Sequence, residues 1–220
     1  MMKKVIAGAA LCSVIPAFAA ANLVTDGSFE SAGVAAGSSA DFTGSALAGW
    51  VALPGDAIEV RNGLVGSAQQ GVDFVELDST HNSSMLTSFS TVLGQAYTLS
   101  FWYSGRPESS LNTLHKSGIV PASSNGLSVS VAGTTVDLKS PTDATADNEW
   151  KQYTTTFTGT GQSMSLMFSA TGKDDSFGSS LDNVSVTAAA AAVPEPATMA
   201  MIGAGLLGLF GLGRRRNRAR

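Results

Sequence analysis

Tyr97-Thr98-Leu99-Ser100-Phe101-Trp102-Tyr103-Ser104 puts Tyr97, Leu99, Phe101 and Tyr103 on one side of an extended chain and Thr98, Ser100, Trp102 and Ser104 on the other. A period of two is the mark of a half-buried strand. The same alternation recurs downstream. Leu127, Val129 and Val131 alternate with serines, and Met164, Leu166 and Phe168 alternate with Ser163, Ser165, Met167 and Ser169. Tyr153, Thr155 and Phe157 follow Trp150 with a one-residue offset, as a β-bulge would produce. Shorter candidate strands are 58–61, 74–77, 84–89, 134–138 and 181–187, separated by Gly, Asn, Asp and Ser. No apolar period of 3.6 is sustained between Asn22 and Thr187. The pattern predicts an all-β domain, an antiparallel two-sheet sandwich. Two stretches read as loops: the Gly/Ala/Ser-rich residues 31–49 before Trp50, and 104–126, whose length marks a functional or mobile segment. Trp50 and Trp150 are expected in the core.

Of the 220 residues, 44% are hydrophobic and only 14% charged, well under the roughly 25% of an average soluble domain. Charge is also unevenly placed. Lys3 and Lys4 open the chain, and Arg214, Arg215, Arg216, Arg218 and Arg220 close it. Between Asn22 and Val193 six basic residues face 16 acidic ones, a formal charge of −10. Affinity for a phosphate backbone comes from Lys and Arg displacing counterions, so nucleic acid is excluded as a partner.

The two ends read as addresses. Lys3 and Lys4, the apolar run Val5–Val14, and the small-x-small sites Ala17-Phe18-Ala19 and Ala19-Ala20-Ala21 predict a Sec signal peptide over residues 1–21. The single cysteine, Cys12, falls inside it, so the mature chain would have no disulfide and no thiolate. Residues 188–193 form a small-residue linker ending at Val193. Pro194-Glu195-Pro196 follows, and then the uncharged run 197–213. Seventeen residues make a helix of roughly 25 Å, just long enough for a single transmembrane span. Arg214-Arg215-Arg216 behind it would stay on the cytoplasmic side of the inner membrane.

The order Val193-Pro194-Glu195-Pro196, apolar span, terminal arginines resembles the PEP-CTERM sorting signal of Gram-negative bacteria. The resemblance implies recognition by an exosortase, a transient C-terminal anchor over 194–220, removal of the tail near Pro-Glu-Pro, and delivery to the outer surface or the extracellular matrix. It also implies a host that makes exopolysaccharide. Glu195 is the one charge in that stretch and the expected recognition handle.

The body carries a second resemblance. Asn22-Leu23-Val24-Thr25-Asp26-Gly27-Ser28-Phe29-Glu30, Phe74-Val75-Glu76-Leu77-Asp78, Phe89 through Phe101, and Leu181-Asp182-Asn183-Val184-Ser185-Val186 are similar, in that order, to blocks of galactose-binding-like jelly rolls related to carbohydrate-binding modules. The resemblance implies a jelly-roll sandwich over residues 22–187, with the first block as its opening strand. It also implies a structural calcium where first and last strands meet, held by Glu30 and Asp182, with Glu59, Glu76 and Asp78 as weaker additions. Scattered carboxylates plus carbonyls suffice for a hard ion that takes six to eight oxygens.

Other constellations say less. Trp102 is out of phase with the apolar face of its strand, so its ring is a candidate platform for a sugar. The competing reading is a strand covered on both sides. Asp174-Asp175, between Gly172 and Gly178, reads as a turn, with a metal site as the alternative. No Gly-x-Ser-x-Gly elbow and no His-Glu-x-x-His occurs. His81 falls in a turn over 78–84, and His115 in the long loop. The expectation is a non-enzymatic exported sandwich that contacts exopolysaccharide or other glycans. The alternatives are an adhesive or structural matrix protein without a defined ligand, and a small secreted hydrolase.

Overall fold

The computed structural model describes residues 20–107, 123–138 and 147–189. Residues 1–19 of the expected signal peptide, His115, the sorting motif Val193-Pro194-Glu195-Pro196, the 197–213 span and Arg214-Arg215-Arg216 lie outside the described residues.

Eleven strands are present among the described residues. They are β1 (Ser38–Phe42), β2 (Val51–Ala52), β3 (Ile58–Asn62), β4 (Asp73–Glu76), β5 (Ser84–Ser90), β6 (Ala96–Ser104), β7 (Leu127–Val131), β8 (Thr134–Leu138), β9 (Lys151–Thr158), β10 (Ser163–Ala170) and β11 (Ser180–Ala188). One sheet has the order β1-β3-β4-β11-β6-β9 and the other β2-β5-β10-β7-β8, with every pairing antiparallel. From β4 onward every connection except β7–β8 crosses from one sheet to the other. This interleaving makes the sandwich an antiparallel jelly roll, as expected.

The alternating residues of the opening stretch do what their period demands. Tyr97, Leu99 and Phe101 are buried between the sheets. The Phe101 ring meets Phe168 of β10 edge-on at 4.9 Å and Tyr153 of β9 at 5.1 Å. Trp50 is 1% exposed and sits between Phe29 and Phe168. Its indole Nε1 donates to the Asp26 carbonyl at 3.1 Å, giving the buried polar atom a partner and tying the N-terminal turn to the core.

Four expectations need correction. Residues 31–49 are not one long loop, because 38–42 form edge strand β1 on β3. Trp150 is only half-buried and lies outside the core between the sheets. β9 pairs with β6 without interruption from Lys151 to Thr158, and the bulge lies instead in β11 between Asp182 and Ser185. The N-terminal block 22–30 is not a strand either. It docks on β11 beyond the end of β4, with Leu23 N donating to the Val186 carbonyl at 2.8 Å and Val184 N to the Gly27 carbonyl at 2.7 Å. Approach there is so close that a Cβ on Gly27 would overlap the Val184 carbonyl oxygen. The first and last segments of the domain thus meet as the resemblance implies.

Candidate functional site

The six-stranded sheet turns one face to the core, and its other face carries the polar side chains of the same strands. Register sets the rows. Trp102 of β6 stands opposite Asp182 of β11 and Gln152 of β9. Arg61 of β3 stands opposite Phe74 of β4, and Glu59 opposite Glu76. Trp102 is half-buried on an inner strand, and among the described residues no aromatic ring packs on it. Its neighbours on this face are Gln152, which is exposed, and Ser100, which opposes exposed Thr154. The strand is thus neither fully open nor covered on both sides.

Part of this outer face is roofed. Trp150, just before β9, reaches Phe74 two strands beyond its neighbour β6, with ring centroids 5.9 Å apart and nearly perpendicular. Its Nε1 donates to the Ser67 carbonyl at 3.0 Å, and Asp147 takes Ser67 N at 2.6 Å and Ser67 Oγ at 2.9 Å. Burial raises the Asp147 carboxyl, but hydrogen bonds from Asn148 N, Ser67 Oγ and Ser67 N together hold it below the usual range. Sequence reasoning missed this roof, because Trp150 finds its partners 76 to 83 residues away.

Beneath lies a buried ionic cluster. Glu76 is 0% exposed. Its carboxylate pairs with Arg61 Nη1 and with Arg106 Nη1 at 2.9 Å, and accepts Gly178 N at 2.7 Å. Arg61 also holds Glu59 at 2.9 Å. Arg106 donates to the Ser176 carbonyl at 2.8 Å and lies 4.9 Å over the Phe177 ring. Burial pushes Glu76 up to about 6 against the pull of Arg61 and Arg106. Burial also raises Glu59, but Arg61 reverses this and holds it below the usual carboxylate range. Glu59 and Glu76 are therefore engaged with arginines and do not join Glu30 and Asp182. Asp78 is likewise elsewhere, accepting Asp175 N and Phe177 N at the far end of β4.

Glu30 and Asp182 are brought together, by the loop that precedes β4. Glu30 Oε1 accepts Val72 N at 2.9 Å and Asp73 N at 3.0 Å. Asp182 Oδ2 accepts Gln69 N at 2.8 Å and Gln70 N at 2.9 Å, while Oδ1 accepts Asn183 N at 2.6 Å. Asn183 is left-handed at φ 50°, inside the register shift between Asp182 and Ser185. Gly71 is left-handed too, and a Cβ there would strike the Glu30 carboxylate. Asp182 is wholly buried. Burial first, and the nearby Glu30 charge with it, push its carboxyl up to about 7 in spite of three backbone donors. An all-oxygen set with a buried carboxylate short of positive charge fits a hard cation. Among the described residues no three acid, histidine or cysteine side chains converge, so carbonyls and water would complete such a shell.

His81 lies in its expected turn, bridged by Asp78 and Asn82. Its Nε2 is 3.4 Å from Asp56 Oδ1 and its Nδ1 3.1 Å from Thr80 Oγ1. The imidazole is 43% exposed, and Asp56 already accepts Ser84 N at 2.7 Å, so water competes for a long contact.

Solved structures resemble the sandwich. One titled TmCBM61 in complex with β-1,4-galactotriose superposes at TM-score 0.49 and 14% identity, covering 77% of this chain and 99% of that one. CBM35 of Abf62 from Cellvibrio japonicus gives 0.43 and 14%, covering 68% and 93%. The K1 cleaved adhesin domain of Lys-gingipain from Porphyromonas gingivalis W83 gives 0.45 and 13%, covering 69% and 99%. At these values the likeness extends to the arrangement of strands and no further. No curated protein matches the chain in sequence. Residues 192–216 match the PEP-CTERM protein-sorting motif, so this is a β-sandwich protein that carries an exosortase sorting signal toward the cell surface.

Proposed function

We propose that the sorted sandwich contacts extracellular glycans through the outer face of its six-stranded sheet, with Trp102 as the platform. The observation that carries this is the half-open indole on an inner strand, bordered by the amide of Gln152 and the hydroxyls of Ser100 and Thr154. A pyranose offers the complement, an apolar C–H face for the ring and hydroxyls for the polar rim. Retention of the mature chain on exopolysaccharide, read by affinity electrophoresis, should fall tenfold or more in Trp102→Ala, about 1.4 kcal/mol. The melting temperature should hardly move, since this ring is not part of the core between the sheets. No retention of the wild type on the host's own polysaccharide would remove the reading.

We further propose that Glu30 and Asp182 hold a structural calcium that clasps the loop before β4 to β11. In metal-free protein Asp182 keeps its proton up to about pH 7, whereas the unfolded chain loses it near 3.8. Between those values the native state binds more protons, so metal-free stability should fall as pH rises from about 4 to 7, by up to 1.4 kcal/mol per pH unit from this group. Calcium binds the ionised form and should reverse that slope, raising the midpoint most at pH 8. A melting temperature indifferent to chelator at pH 8 sinks the calcium.

A further inference from the structure

The turn after β4 and the loop before β11 meet around Asp78, at the end of β4 opposite Asp182. Asp78 is 0% exposed. Its Oδ2 accepts Asp175 N at 3.3 Å and Phe177 N at 3.2 Å, but its Oδ1 is buried and takes no donor. Asp175 repeats the pattern, with Oδ2 accepting Ser124 Oγ at 2.7 Å and a buried Oδ1 that takes none. Asn82 pairs with Asp78 through an isolated antiparallel bridge. Its Nδ2 donates to the Gly172 carbonyl at 2.8 Å, which fixes the orientation of the amide, and its Oδ1 is buried without a donor.

A buried acceptor without a donor loses its hydration for nothing, and native structures contain few of them. Here three belong to Asp78 and to two residues that each touch it, Asn82 through the bridge and Asp175 through its amide, and all three are oxygens. A single protein donor would leave some of them bare, whereas a hard cation takes six to eight oxygens at once. Burial, with the charges of Asp174 and Asp175, pushes the Asp78 carboxyl up, as expected of a carboxylate short of positive charge. Lys173 Nζ approaches Asp175 Oδ2 only to 3.9 Å and is 64% exposed, too loose to fill that role.

We propose that Asp78, Asn82 and Asp175 bind a calcium ion through their Oδ1 atoms, at a site separate from Glu30 and Asp182. Only two ligands are carboxylates and the third is an amide, so this site lacks three converging acids. With so little charge the affinity belongs to the weak extracellular range, about 0.1–1 mM. Bound there, the ion pins residues 172–178 to the β4–β5 turn. It thereby holds Ser176 and Phe177 against Arg106, at one border of the outer face.

The test is a calorimetric calcium titration of the full chain in detergent micelles after stripping with chelator. Asp78→Asn also disturbs two backbone bonds and is prone to misfold, so Asp175→Asn and Asn82→Ala are the deciding variants, with Asp182→Asn as the comparison. Asp175→Asn and Asn82→Ala should each weaken one calcium-binding step tenfold or more, and that step should survive in Asp182→Asn. An ordered water donating to two of the oxygens is the rival occupant. The rival, and with it failure of the proposal, is indicated by no binding up to about 10 mM calcium, above the weak extracellular range. Binding that is unchanged in Asp175→Asn, or lost only in Asp182→Asn, likewise overturns it. Glycan retention is not involved in any of these readouts.

Discussion

Glu76→Ala should destabilise the domain by about 3–5 kcal/mol, the range for removing one partner of a buried ion pair. Glu76 alone touches both Arg61 and Arg106, and its carboxylate also takes Gly178 N. Without it, two guanidinium groups, on residues 3% and 7% exposed, are left with Glu59 as their nearest carboxylate. For a domain of this size each kcal/mol shifts the midpoint by roughly 2–4 °C, so a fall of roughly 6–20 °C is expected in a thermal melt. Glu59→Ala should cost much less, because Arg61 keeps Glu76 and the Glu59 side chain is 12% exposed.

The effect of truncation is not the net worth of the cluster. Burial raises Glu76 to about 6 even between two arginines, whereas burial lowers Arg61 but Glu76 and Glu59 hold it above its usual value, so desolvation and attraction in the cluster largely offset each other. Glu59→Gln, Arg61→Met, Glu76→Leu and Arg106→Met combined, which leave no charge of the cluster unpaired, should therefore recover most of what Glu76→Ala loses. A single Glu76→Ala protein that melts with the wild type would show that water reaches the arginines and that the cluster is not buried in solution.

That cluster also marks where reading the sequence stopped short. Ile58-Glu59-Val60-Arg61 alternates like a strand with one wet face, and the strand is there, but Glu59 and Arg61 are buried. Their neutralisation depends on Glu76 and on Arg106, 30 residues further on, and no local pattern announces a pairing of that span. β1 escaped for the opposite reason. Ser38-Ser39-Ala40-Asp41-Phe42 is an edge strand with little buried on either face, so it carries no apolar period and rests on backbone bonds to β3. β6, β7 and β10 were legible because each presses one face into the core. Glu30 and Asp182 could be paired by resemblance, but the loop joining them, through the amides of Gln69, Gln70, Val72 and Asp73, has no signature of its own. Trp150 resembles Trp50 in composition alone. One is seated by Phe29 and Phe168 in the core, the other by Phe74 and the Ser67 carbonyl outside it.

Replacing Glu195, or both Pro194 and Pro196, should leave the arginine tail on the recovered protein, an all-or-none change in intact mass. The reason lies in the backbone. Proline fixes φ near −65° and disfavours helix at the residue before it, so extended backbone is expected at Val193 and Glu195. The membrane helix expected over 197–213 would then not grow back through the motif, and the stretch before it would stay open to a peptidase. Replacing both prolines by alanine removes that barrier, and the alanines at 190–192 just before the motif are strong helix-formers that would let a helix hide the backbone in intramolecular hydrogen bonds. Glu195 acts differently. It is the only charge between Asp182 and Arg214, so Glu195→Gln removes the one electrostatic handle while keeping shape. If that variant is processed like the wild type, recognition rests on the extended backbone and not on the carboxylate. Arg214→Glu with Arg215→Glu and Arg216→Glu should fail at an earlier step, because the cluster expected to keep the tail on the cytoplasmic side would be gone and nothing would hold the motif at the membrane face. The two failures separate by fractionation, with uncleaved protein in the membrane for the motif variants and uncleaved protein in the medium for the arginine variant. Wild-type protein recovered from the medium of the native host with Arg214–Arg220 still attached would refute processing at the motif altogether.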